Sequence, residues 1–262
     1  MNLDQKTISE LAQHLEAAEL NASDVVKITD AYPNMDYEDA YAIQYEIRKN
    51  KISRGQKFAG LKMGLTSQAK MKQMGVDTPI FGFLMDYMGR GDGQEIKTKE
   101  LIHPKVEPEI ALVTSKELRG PNCSVDDVLS AVDFLVPAME IIDSRYRDFK
   151  FDLKSVIADN TSSSRYVMGG KITDVSGVDL EHLGVVLEKN GEVVATGAGA
   201  AVLGHPAKSV AMLADMLASR GETIPTGTFI MTGAITEAIA VDVGDTVTAK
   251  FQHLGSVTTR FA

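Results

Sequence analysis

Apolar residues recur at helical spacing through the first 55 or so positions. Ile8, Leu11, Leu15 and Ala18 form one stripe, three or four residues apart, as a single face of an α-helix requires. A second periodic stretch starts at Asp36, a suitable N-cap, and runs to Gly55, a helix stop. From about Lys57 the pattern changes to short β-branched runs separated by turn residues. These predict strands over 57–64, 105–114, 138–143, 184–197 and 246–261, with Asn190-Gly191 marking a two-residue hairpin turn. Two further helices are expected. Ser124 and Asp127 form a capping-box start ahead of Val128, Leu129 and Val132. Pro206 sits in the first turn before Val210, Leu213, Ala214 and Leu217, with Gly221 as the stop. Strands and helices do not alternate regularly, so the fold class read here is α+β rather than a doubly wound parallel sheet. The division expected is a largely helical region over 1–56 and a β-rich catalytic domain over 57–262.

Size and charge narrow what such a chain does. At 262 residues a core forms without a metal or disulfide staple, so a metal site would serve chemistry. No run approaches the roughly 18 consecutive apolar residues of a membrane span. The opening residues carry acids where a signal peptide has a basic start and an apolar core. Cys123 is the only cysteine, which excludes an internal disulfide and fits a reducing compartment, so a cytoplasmic location is expected. The 27 basic and 36 acidic residues leave a net charge of −9. There is no basic stripe interleaved with aromatics, so neither nucleic acid nor an anionic membrane is an expected partner. An anionic substrate would need a local positive centre, which a bound cation supplies.

Three segments carry candidate chemistry. Glu107 and Glu109 lie two apart in an apolar run and share one face of a strand. Side by side they repel, and need either a cation or a shared proton; taken alone, they also read as the polar side of a half-exposed strand. Pro108 between them suggests a strand edge or a bulge. Glu140 stands inside Val-Pro-Ala-Met-Glu-Ile-Ile, where an unpaired charge is costly. Asp143 and Arg145 follow closely enough to pair with each other, but no such neighbour is evident for Glu140. Three carboxylates without thiols or histidines make a hard oxygen site suited to Mg²⁺ or Mn²⁺. Third, Gly60, Lys62 and Gly64 share a strand face, with Leu61, Met63 and Leu65 on the other. Glycines on either side of a lysine clear space around its ammonium group or let a ligand approach; an exposed edge-strand lysine is the plainer reading.

Other features promise less. Gly197 and Gly199 precede a helix, but Val202 occupies the position where a dinucleotide loop needs glycine. His103 and His205 each precede proline and read as structural. Residues 159–164, Asp-Asn-Thr-Ser-Ser-Ser, form either a simple turn or a polar loop able to bind a carboxylate.

Taken in order, Gly-Leu-Lys-Met-Gly-Leu-Thr-Ser, Glu-Pro-Glu, Met-Glu-Ile-Ile-Asp-Ser-Arg, Ala-Asp-Asn-Thr-Ser-Ser, Gly-His-Pro and Leu-Gly-Ser-Val resemble the hydratase/decarboxylase branch of the fumarylacetoacetate hydrolase superfamily. The match covers nearly the whole chain. The resemblance implies a mixed β-roll catalytic domain with a smaller N-terminal region. It implies Mg²⁺ or Mn²⁺ held by Glu107, Glu109 and Glu140, with Lys62 in acid–base or electrostatic work. Leu65, Asn160 and Ser162 are expected to contact substrate. The activity implied is metal-dependent decarboxylation of 2-oxo-3-hexenedioate (4-oxalocrotonate) in catechol meta-cleavage, with hydration of 2-hydroxypenta-2,4-dienoate as the alternative. A complex with that hydratase and a homo-oligomer are implied as well. Hydratases of this branch are expected to carry an acidic residue just before the Phe/Tyr-Gly pair, where this chain has Ile80 before Phe81-Gly82. An apolar residue favours the drier pocket that loss of CO2 prefers, so decarboxylation is the expected activity.

Overall fold

Helix capping sets the N-terminal elements. Asp4 accepts a hydrogen bond from Thr7 N at 2.8 Å and starts α1 (Gln5–Leu20), while Asp36 and Asp39 make a reciprocal capping box that starts α2 (Tyr37–Ser53). The computed structural model describes residues 1–67, 71–72, 76, 78–169 and 171–262. Ile8, Leu11 and Leu15 of α1 are buried as their spacing predicts. Lys51 of α2 is buried and bridges to Glu19 at 2.8 Å, Glu16 at 3.3 Å and the Tyr87 hydroxyl at 3.0 Å. Gln44 donates to the carbonyls of Phe81 and Ile157. The helical pair is thus tied by buried polar bonds to the strands that follow.

Thirteen strands are described. They are β1 (Phe58–Gly64), β2 (Ile80–Met85), β3 (Gly89–Gly91), β4 (Glu95–Ile96), β5 (Lys105–Thr114), β6 (Val132–Ile142) and β7 (Ser163–Met168), then β8 (Gly184–Lys189), β9 (Glu192–Ala198), β10 (Phe229–Met231), β11 (Ile239–Ala240), β12 (Thr246–Phe251) and β13 (Gly255–Phe261). One sheet runs β2-β1-β10-β5-β6-β7-β3, with β11 also pairing β5, and the second runs β4-β13-β12-β8-β9. Among the described residues, three shorter α-helices follow: α3 (Val125–Ala131), α4 (Leu153–Ala158) and α5 (Pro206–Ala218). This is a mixed α+β fold, as expected.

Several expectations hold in detail. Ser124 and Asp127 cap α3 reciprocally, and His205 Nδ1 accepts from Ala207 N at the start of α5. Asn190 and Gly191 both have positive φ, 55° and 84°, as a two-residue hairpin turn of the primed type requires. Others need correction. The run 246–261 is a hairpin of two strands, because the chain reverses through His253 and Gly255, both at positive φ. Strand β6 begins at Val132, earlier than expected. Strands β2 and β10 went unpredicted: all their residues are buried, so they lack the polar alternation that marks a half-exposed strand.

Pro108 is neither at an edge nor in a bulge. Strand β5 is interior, and Pro108 faces Met139 of β6 in regular register. Its carbonyl accepts from Ile235 N at 3.0 Å, so its nitrogen points the same way, into the gap between β10 and β11. No ladder bond is lost, and the proline is tolerated there for the reason it is tolerated at edges.

Candidate metal centre and cavity

The β5–β6 ladder builds the centre. Glu107 lies directly opposite Glu140, and Glu109 lies opposite Ala138 on the same face, where a small side chain leaves room for a carboxylate. One oxygen from each of Glu107, Glu109 and Glu140 lies within 4.8 Å of the others. Glu109 and Glu140 are fully buried. Glu109 Oε2 accepts from Gly233 N at 2.6 Å. Its other oxygen and both oxygens of Glu140 have no hydrogen-bond partner among the described residues. The Lys62 ammonium lies 2.8 Å from Glu140 Oε2 as an ion pair without hydrogen-bond alignment. It also donates to the Thr161 carbonyl at 3.2 Å.

Electrostatics follow from this crowding. Burial pushes the Glu109 carboxyl well above its ordinary range, and the Glu140 and Glu107 charges add to the effect. Burial also raises Glu140, against the opposing pull of Lys62. Burial disfavours the Lys62 ammonium, but the three carboxylates outweigh it and hold its pKa above the usual lysine value. Among the described residues, three buried carboxylates face the Lys62 ammonium, an excess of negative charge. Three converging carboxylates, with unbonded oxygens on Glu109 and Glu140, are the donor set of a hard divalent cation, so the residues fit the ion that their spacing predicted.

Beside the centre is a cavity of about 450 Å³, walled by Lys62, Leu65, Ile80, Lys105, Glu107 and Ser162 among others. Gly64 borders the Lys62 ammonium: a Cβ there would lie 3.8 Å from Nζ and 3.3 Å from Ile80 Cγ1. Gly60 plays a different part from the one expected. A Cβ on it would strike the Phe229 carbonyl oxygen at 2.1 Å, so it admits the backbone of β10 rather than clearing space for the lysine.

Residues 160–162 take left-handed backbone, with φ of 48°, 53° and 59°, which costs roughly 1–2 kcal/mol per non-glycine residue. The surroundings hold the turn in place. Asn160 Oδ1 accepts from Phe83 N at 2.9 Å and its Nδ2 donates to Phe83 O at 3.0 Å. Gly82 lets β2 approach, since a Cβ there would meet Thr161 Oγ1 at 2.5 Å. Asn160, expected to contact substrate, thus has both ends of its amide engaged by β2, outside the cavity wall. Ser162 does line the cavity, and its hydroxyl is buried without a partner among the described residues. Arg145 clamps the turn from behind. It bonds the Asp159 carboxylate and carbonyl, and donates to the carbonyls of Ser163 at 2.9 Å and Asp143 at 2.8 Å. The expected Asp143–Arg145 ion pair is therefore replaced by Arg145–Asp159, because the Asp143 carboxylate already accepts from the backbone of Ile102 and His103.

His103 bonds the Ser144 carbonyl, in keeping with a structural role. Burial pushes the Cys123 thiol up to about 11, which leaves little of the nucleophilic thiolate near neutral pH. Sequence reasoning passed over Lys105, the Thr161 carbonyl and Gly233 N. Only Lys105 carried a signal: it stands two residues before Glu107, on the same strand face.

The fumarylacetoacetate (FAA) hydrolase C-terminal family profile matches residues 63–262, and the chain belongs to that family. Over 259 residues it is 60% identical to 4-oxalocrotonate decarboxylase of Pseudomonas putida, covering 99% of this chain and 98% of that one. It is 40% identical over 252 residues to 2-keto-4-pentenoate hydratase of Paraburkholderia xenovorans (strain LB400), covering 96% and 94%. Among solved structures it superposes on 4-oxalocrotonate decarboxylase from Pseudomonas putida G7, complexed with magnesium and adipate, with a TM-score of 0.98. That pair shares 56% identity, over 100% of this chain and 99% of the other.

Proposed function

We propose that this chain catalyses the divalent-metal-dependent decarboxylation of 2-oxo-3-hexenedioate (4-oxalocrotonate) to 2-hydroxypenta-2,4-dienoate and CO2. The observation that carries this reading is Lys62, buried and paired with Glu140 inside the three-carboxylate centre, at the floor of a cavity with apolar walls. The similarity to decarboxylases over nearly the whole chain supports it, as does the magnesium and adipate held by the P. putida G7 enzyme, adipate being a six-carbon diacid.

The substrate is a vinylogous β-keto acid. As the C5–C6 bond breaks, its electron pair moves through the C3–C4 alkene to the 2-oxo oxygen, and C6 leaves as CO2. Glu107, Glu109 and Glu140 would hold Mg²⁺ or Mn²⁺, which when bound supplies Lewis-acid polarisation of the 2-oxo group. The Lys62 ammonium places a positive charge, and a proton to give, where negative charge accumulates. The Ser162 hydroxyl, on the cavity wall, offers a further donor. Leu65 and Ile80 keep the alkene dry, and Ile80 has no group with which to activate water, so the hydratase alternative is the less supported.

The product is an unstable dienol, which favours direct transfer to a hydratase that consumes it. We take association with 2-hydroxypenta-2,4-dienoate hydratase, a homo-oligomeric state, a cytoplasmic location and a place in catechol meta-cleavage as part of this reading. The proposed boundary between the helical region 1–56 and the catalytic domain 57–262 falls near the start of the family match. No helix among the described residues is long and apolar enough to cross a membrane.

The test is to supply 2-oxo-3-hexenedioate with Mg²⁺ and follow CO2 together with dienol absorbance. Stoichiometric CO2 is expected. Absence of CO2 from folded, metal-loaded protein overturns the assignment.

A further inference from the structure

Lys105, Glu107 and Glu109 alternate along β5 and so stand on one face of it. Across the ladder Lys105 faces Ile142, the next same-face rung after Glu107–Glu140. Two residues of strand advance about 6.6–6.8 Å. An extended six-carbon diacid, with five C–C bonds of about 1.5 Å in zigzag, spans about 6 Å. A substrate with its 2-oxo acid end at the carboxylate centre and extended along β5 would span to the Lys105 rung.

The environment of Lys105 suits that contact. It lines the same cavity as Lys62 and Glu107. Its ammonium lies 4.1 Å from the centroid of the Phe149 ring, a cation–π contact that fixes its position. It has no carboxylate partner among the described residues, and Glu237, the other acid on the cavity wall, is exposed. Phe151 and Val156 line the space nearby, and apolar walls strengthen a charge pair formed between them.

We propose that Lys105, steadied by Phe149, receives the departing carboxylate and makes the cavity selective for six-carbon 2-oxo diacids over monoacids. The inference rests on the diacid substrate proposed above. Charge leaves that carboxylate as the C5–C6 bond breaks and appears at the 2-oxo oxygen. The Lys105 contact is therefore stronger in the bound substrate than in the transition state. It sets affinity and does not accelerate the chemical step.

The experiment compares two competitive inhibitors of equal length, 2-oxoadipate and 2-oxohexanoate, on the Mg²⁺-loaded enzyme. Wild type is expected to bind the diacid roughly 10–100-fold more tightly, the range of a hydrogen bond to a charged group. Lys105→Met should bring that ratio to about one and raise KM for 2-oxo-3-hexenedioate by a similar factor, with kcat unchanged or increased. Lys105→Arg should keep most of the selectivity, and Lys105→Gln provides a second neutral variant if the Met variant folds poorly. A ratio that stays at the wild-type value in folded Met or Gln variants overturns the proposal, as does a loss confined to kcat. A wild-type enzyme that shows the inhibitor ratio but releases no CO2 overturns the reaction assignment instead.

Discussion

Glu107 and Glu140 stand directly opposite one another across the β5–β6 ladder, the placement in which like charges destabilise an antiparallel sheet most. With Glu109 beside them and Lys62 as the sole described ammonium in contact, the sheet keeps an arrangement that favours an ion over the protein's own stability.

Removing the ion should therefore abolish turnover while leaving the fold in place, since the core does not depend on it. Treatment with a chelator is expected to eliminate CO2 release with far-ultraviolet circular dichroism unchanged, and Mg²⁺ should restore activity. Full activity in metal-free protein would falsify the assignment of the centre.

The stability of the metal-free protein should fall as pH rises. Glu109 and Glu140 have folded pKa values above their ordinary 4.5, so the folded chain binds protons that the unfolded chain releases. Stability is fully present below 4.5 and is lost as pH climbs through the raised values. Bound Mg²⁺ compensates the ionised carboxylates and removes this loss. The gap in Tm between Mg²⁺-loaded and metal-free protein should widen from about pH 5 to about pH 8. A constant gap would show that these carboxyls titrate normally.

Lys62→Met keeps the bulk and removes the charge. We expect kcat to fall roughly 10²–10³-fold, about 3–4 kcal/mol, as for loss of one oxyanion donor. KM should change far less, and Mg²⁺ affinity should not fall, because a competing cation is gone. Near-normal kcat would return the residue to a purely structural ion pair.

Given 2-hydroxypenta-2,4-dienoate alone, the protein should leave it largely unhydrated, because Ile80 is buried in the cavity wall and cannot position water. Ile80→Asp should slow decarboxylation by about tenfold or more by wetting the pocket and adding a negative charge. Formation of 4-hydroxy-2-oxopentanoate by the wild type, read by chromatography, would contradict this.

Asn160→Ala strands the amide and carbonyl of Phe83 that its side chain satisfies. A loss of about 2–6 kcal/mol in denaturant unfolding is expected, from two buried groups at about 1–3 kcal/mol each. Stability within about 0.5 kcal/mol of wild type would mean that water replaces the amide.

What was legible in the sequence was whatever depends on local period. Glu107 and Glu109 share a face because strands repeat every two residues, and Glu140 stood out as a charge in an apolar run. Three of the helices announced themselves through Asp36, Ser124 and Pro206, while α4, capped by Asp152, was not foreseen. What stayed hidden depends on pairing between distant segments. Nothing near Glu140 in sequence points to Lys62, and nothing near Arg145 favours Asp159 over Asp143. Asn160 reads as a loop residue free to meet a ligand, and only the approach of β2 shows that its amide is already bonded. Strands β2 and β10 are hidden for a related reason, since full burial erases the alternation that betrays a strand.

The parallel pairing of β1 with β10, which sets Lys62 beside Met231, has a consequence for biosynthesis. Glu107, Glu109 and Glu140 come together within a single antiparallel pair, but the lysine and the Gly233 amide reach them only after most of the chain has left the ribosome. Closing so long a loop is entropically slow and is rewarded only once the remote strand docks. A nascent chain therefore carries an incomplete, catalytically silent centre, and chemistry switches on with the last stage of folding.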